Sequence, residues 1–181
     1  MAAGGSAGIV AYWPFGMNGL DDASGNGNTL APERVKFNGG AAVMDGYQTI
    51  FSTVSNLNLS VYSALTVECF VKTTSSSAEH MLLEITESAF AYSGGLMMLL
   101  NVGASGQLQG RYYTDYALSY KDFTDVENNV ADGAWHHVAL VVDRTQASNG
   151  DRVKLYLDGA LQATNSWDAS GSPAFKDGKL Y

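Results

Sequence analysis

The chain has 181 residues, 46% of them hydrophobic and 15% charged, which suits one globular domain large enough to bury a core and argues against disorder. Ten basic against 18 acidic residues give a formal charge of −8, which argues against nucleic acid and anionic membrane surfaces as partners, since both require clustered Lys and Arg. A single cysteine, Cys69, rules out an intramolecular disulfide, and apolar runs such as Leu96–Leu100 are far too short to span a bilayer.

Residues 1–8 read as a flexible lead-in, with neither the basic start nor the apolar stretch of a secretion signal, so the domain is expected to span 9–181. Along that span the hydrophobic period is two, with no amphipathic helix. Leu65, Val67, Cys69 and Val71 alternate with Thr66, Glu68, Phe70 and Lys72, which makes Cys69 a small core residue. Met81, Leu83 and Ile85 alternate with Leu82, Glu84 and Thr86. Leu108–Thr114 and Trp135–Val142 predict two further strands, the latter apolar enough to be buried on both faces. Val153, Leu155 and Leu157 then alternate with Lys154, Tyr156 and Asp158. Gly, Asn, Asp and Ser clusters separate these segments, as at Gly103–Gly106 and Ser148–Asp151. Many short strands with frequent turn signals predict an all-β antiparallel sandwich in one domain. Trp135, Val138, Leu140, Val142, Leu155 and Leu157 are its expected core.

Asp132-Gly-Ala-Trp-His-His-Val-Ala-Leu-Val-Val-Asp143 and Val153-Lys-Leu-Tyr-Leu-Asp-Gly-Ala-Leu161 together resemble the central hairpin of laminin G/concanavalin A-like jelly-roll domains. Ala11-Tyr-Trp-Pro-Phe15 resembles the first strand of the bacterial members, and Asp22–Asn28 the loop after it. Gly40–Gly46 looks like their short strand and Asp-Gly turn, with Met44 where Phe is more usual, and Leu65–Lys72 matches a strand that here carries Phe70 in place of Trp. The resemblance implies a two-sheet jelly roll and a binding scaffold in an exported or cell-surface protein. It also implies further strands after Lys179–Tyr181, so a sheet edge is expected to be uncovered and open to self-association.

Asp22, Ser24, Asn26 and Asn28 place oxygen-bearing side chains at alternate positions, and Glu33 follows eleven residues after Asp22. That spacing fits a structural calcium loop, with a hydrogen-bonded Asx turn as the alternative. His136 and His137 are consecutive in a strand, point to opposite faces and cannot share one metal, and His80 has no evident partner. No Glu-x-Asp-x-Glu strand motif and no Gly-x-Ser-x-Gly elbow are present, so no catalytic residues are assigned. Arg111, Tyr113, Asp115 and Tyr116, with Gln109 as a further polar edge, form the best ligand segment, mixing ring faces with polar groups, and Trp167 adds a second aromatic candidate. The sequence thus predicts a non-catalytic recognition module whose partner is a glycan or a cell-surface protein. A structural or adhesive spacer is the alternative, and a glycoside hydrolase the third reading.

Overall fold

The computed structural model describes residues 8–16, 19–44, 50–75, 80–86, 96–100, 106–113, 120–124, 129–164, 175 and 177–181. Two antiparallel sheets carry the architecture. One contains β5 (Ala64–Val71), β10 (His136–Asp143), β11 (Val153–Leu157) and β12 (Ala160–Thr164), in the order β12-β11-β10-β5. The other contains β6 (His80–Thr86), β7 (Leu96–Leu100), β8 (Leu108–Tyr113), β9 (Tyr120–Thr124) and β13 (Lys179–Leu180), in the order β13-β6-β7-β8-β9. Two short ribbons precede them in the chain: β1 (Leu30–Glu33) pairs with β4 (Ile50–Thr53), and β2 (Lys36–Asn38) with β3 (Ala41–Val43). A single helical turn, α1 (Asn149–Arg152), links β10 to β11.

Register makes the core. Val138, Leu140 and Val142 of β10 stand opposite Leu157, Leu155 and Val153 of β11, and opposite Cys69, Val67 and Leu65 of β5. The result is three apolar rows across three strands, each facing inward because side chains alternate with period two. Leu83, Ile85 and Leu108 of the other sheet meet these rows, while Leu57, Leu59, Val130 and Phe175 close the ends. The β11–β12 turn is Asp158-Gly159 with both residues in the left-handed region (φ 50° and 79°), the primed geometry that matches strand twist.

Five of the six expected core residues of the central hairpin are buried, but Trp135 is 55% exposed. It precedes β10 and is out of phase with Val138, so alternation turns it outward. Residues 11–15 do not form the expected first strand. Pro14 has no N–H, Phe15 is left-handed (φ 51°), and the Tyr12 N–H donates to the Asp22 carboxylate instead of to a neighbouring strand. His80 does have a partner, with Nε2 2.9 Å from the Ser75 hydroxyl.

The expected uncovered edge is covered on β6 by the chain's own last residues. β13 pairs with β6, and Tyr181 and Glu84 exchange both backbone hydrogen bonds. β5 is different: it ends its sheet, with β10 its only strand partner among the described residues. Burial falls toward that edge. Val138 and Leu140 on β10 are fully buried, whereas Leu65, Cys69 and Val71 on β5 are only partly so.

Candidate functional site

The outward face of the five-stranded sheet carries an unusual run of buried polar residues. Alternation sends Leu83, Ile85 and Leu108 into the core and Glu84, Thr86 and Gln109 away from it, yet Glu84 is 1% and Gln109 3% exposed. Arg111, two residues on from Gln109, is half-buried. Register aligns Glu84 with Met97, Met97 with Arg111, and Arg111 with Asp122, so two acidic residues flank the arginine along one row. Such a face differs from the plain solvated exterior of an antiparallel sandwich. Glu84 and Gln109 are covered, which leaves Arg111 as the partly accessible polar group of the row among the described side chains.

Of the ligand residues expected from sequence, Arg111 thus lies on this face. Tyr113 stands opposite Tyr120 in the β8–β9 register, its side chain outside the described atoms, and Asp115, Tyr116 and Trp167 lie outside the described residues. Gln109 is one of the polar edges expected beside Arg111 from sequence, whereas Glu84 is not among the expected ligand residues. Their alternation marks them as outward-facing, and only packing over that face reveals their burial.

Asp22, Ser24, Asn26 and Asn28 do come together. Asp22 Oδ1 accepts from the Tyr12 and Ser24 N–H groups at 2.9 Å each, and Oδ2 from the Asn28 N–H at 2.9 Å. The side chains of Ser24, Asn26 and Asn28 all donate to the Val10 carbonyl, at 3.3, 3.0 and 2.8 Å. Burial raises the Asp22 carboxyl, but the Ser24 hydroxyl and the backbone donors of Tyr12, Asn28 and Ser24 outweigh it and hold the pKa at about 2. Glu33 sits exposed on β1 opposite Ile50. The arrangement is a hydrogen-bonded turn that fastens residues 9–12 to the loop. A calcium ion would have to share the Asp22 oxygens with three N–H donors.

His136 and His137 face opposite ways, as their spacing requires. His136 places Nδ1 2.8 Å from Asp158 Oδ2 and Nε2 3.1 Å from Asp132 Oδ1. Carboxylates only accept, so both contacts are satisfied together only by the doubly protonated ring. The hydrogen bond to Asp158 accordingly raises the His136 pKa, with burial opposing and Asp132 reinforcing. Asp158 also accepts the His137 N–H through Oδ1 at 2.8 Å, locking the β11–β12 turn to the start of β10. His137 lies 3.4 Å from Glu68 Oε2, and its ring sits 5.0 Å from that of Phe70. No group of three or more His, Cys, Asp or Glu with metal-binding geometry occurs among the described residues.

Residues 45–181 match the laminin G family model of the concanavalin A-like lectin/glucanases superfamily. No curated protein sequence matches the chain. Among solved structures it is similar to the Emp46p carbohydrate recognition domain in its potassium-bound form (19% identity, 84% of this chain and 79% of that one, TM-score 0.52). It is also similar to the Bacillus licheniformis beta-glucanase (16% identity, 81% and 66%, TM-score 0.50). A third similarity is to domains LG4-5 of the mouse laminin alpha1 chain (14% identity, 65% and 27%, TM-score 0.50), of which this chain therefore spans only about a quarter. At such identities the structures share a fold, and the family assignment rests on the sequence match. The chain belongs to the laminin G-type family of concanavalin A-like jelly-roll domains.

Proposed function

We propose that this chain is a non-catalytic carbohydrate-binding module of a larger exported or cell-surface protein, and that glycan contact is made on the outward face of β6–β9 around Arg111. The observation that carries the reading is a half-buried Arg111 on that face, beside the covered Glu84 and Gln109. Sugars are recognised by placed polar groups of this kind, with Tyr113, Asp115, Tyr116 and Trp167 as the further contacts this reading assigns. Absence of hydrolysis is supported by the sequence. It carries no Glu-x-Asp-x-Glu strand motif, the pattern that sets two carboxyls on one strand face at a glycosidase's separation. A glycan array with the wild-type chain and Arg111→Ala tests the binding. Retained, unhydrolysed glycan lost in the variant supports it, and identical profiles for the two proteins reject the site.

A second reading, self-association or capture of a protein strand, is favoured by β5, which ends its sheet among the described residues. A strand added there would satisfy outward backbone groups and cover Leu65, Cys69 and Val71.

A further inference from the structure

Ahead of the part of the chain that matches the family, residues between Phe15 and Gly40 line an open cleft of about 680 Å³. Its walls are Phe15, Gly16, Gly19, Leu20 and Asp21 on one side and Phe37, Asn38 and the Gly39-Gly40 turn of the β2–β3 ribbon on the other. The volume lies in the range of small-molecule sites.

Two rings, Phe15 and Phe37, line it, and a third beneath supports them. Phe15 stacks on buried Phe51 at 5.3 Å, and Phe37 lies 6.0 Å from Phe51 and 6.2 Å from Phe15. Phe51 is thus the support, while Phe37 keeps 40% of its surface exposed. Two backbone features hold this arrangement. Phe15 occupies the left-handed region, uncommon for an aromatic residue and found where surrounding structure imposes it. Gly19 approaches so closely that an added Cβ would lie 2.8 Å from the Phe15 Cα and 3.1 Å from the Phe37 ring. Asp21 and Asn38, both exposed, add a carboxylate and an amide to the lining. No Lys or Arg is among the described residues that line it.

We infer that this cleft is a second saccharide site, selective for neutral pyranoses. The apolar face of one sugar ring rests on Phe37, and its hydroxyls donate to Asp21 and exchange hydrogen bonds with Asn38. A lone carboxylate with no basic residue among the described lining disfavours acidic sugars. The inference shares with the proposed function only the ligand class, and its residues are separate from Arg111.

Titrating the full chain by NMR with glucose, galactose, mannose, N-acetylglucosamine and their neutral oligosaccharides, and with sialyllactose, tests it. The wild-type protein and the Phe37→Ala, Asp21→Asn and Arg111→Ala variants are compared, with a thermal melt for each. The expected result is binding of a neutral sugar weakened at least tenfold by Phe37→Ala and Asp21→Asn, unchanged by Arg111→Ala, with sialyllactose weaker. Asp21→Asn keeps size and surface position, so it reports on binding even if Phe37→Ala loosens the three rings. Neutral-sugar binding that survives both cleft variants overturns the inference, and its loss in Arg111→Ala would place all binding on β8. Absence of binding across the neutral panel overturns it as well, while an Arg111-dependent array signal would leave the proposed function standing.

Discussion

His136 Nδ1 lies 2.8 Å from Asp158 Oδ2, so the ring at the start of β10 holds the turn that closes the next hairpin. The same ring reaches Asp132 on its other side, and the three residues form a charged clamp at one end of the four-stranded sheet. Its contribution should depend on pH from both directions. The His136 pKa is raised, so the stabilisation from protonating it is complete below 6.5 and is lost as pH rises through the higher folded-state value. Asp158 and Asp132 are lowered, by the His136 hydrogen bond and the Ala134 N–H respectively as leading causes, so their part is present above 3.8 and lost on acidification. The melting temperature is expected to plateau between about pH 4 and 6.5. His136→Gln should abolish the fall on the alkaline side; an unchanged alkaline slope in the variant would assign it elsewhere.

Truncation of Leu140 should be severe and of Trp135 mild. Leu140 is fully buried in the central row, so Leu140→Ala is expected to cost about 2–5 kcal/mol. Trp135 is mostly in solvent, and Trp135→Ala should stay within about 1 kcal/mol of wild type. Chemical denaturation of both variants checks the contrast, and a large loss for Trp135→Ala would contradict its outward placement.

The Asp22 turn makes a third test. With its carboxyl held at about 2, Asp22 contributes stability that is present above pH 3.8 and disappears as pH falls through 2. Asp22→Ala leaves three N–H donors without their acceptor and should lower the melting temperature at pH 7. Melts with calcium and with chelator separate the two uses of the loop. A calcium-dependent rise lost in Asp22→Ala assigns a cation to it, and equal melts assign the turn alone.

For the β5 edge, sedimentation across a concentration series should show self-association, reduced by Phe70→Lys. Phe70 is 71% exposed on that strand, so a charge there should deter pairing with little change in the melt. A wild-type chain that stays monomeric would remove the edge as an association surface.

Strand existence was legible wherever alternation was long. β5 and β11 show it plainly, and their predicted faces match the inward rows of the register. β10 is apolar on both faces, so its phase could not be read from composition, and Trp135 was placed inside on the wrong parity. β1 to β4 are three or four residues long and exist through pairing partners rather than through a periodic pattern of their own. On the outward face of β6–β9, Arg111 was legible as a polar residue among tyrosines, whereas the burial of Glu84 depends on what packs over the sheet. The Phe15–Phe37 cleft was hidden for a related reason: its walls are distant in sequence and meet only because Gly19 permits the contact.

Cys69, the chain's single cysteine, faces inward on the edge strand, and burial first, then the adjacent Glu68 charge, pushes its thiol up to about 11. At neutral pH it is therefore almost wholly protonated and shielded, a poor nucleophile while the strand is in place. Alkylation can proceed at an ordinary thiol's rate only when β5 peels away from β10 or the domain unfolds, so labelling velocity becomes a clock for the opening of that edge. The native sulfur reads this motion without any engineered probe, and a strand docked on β5 would slow the clock in proportion to its occupancy.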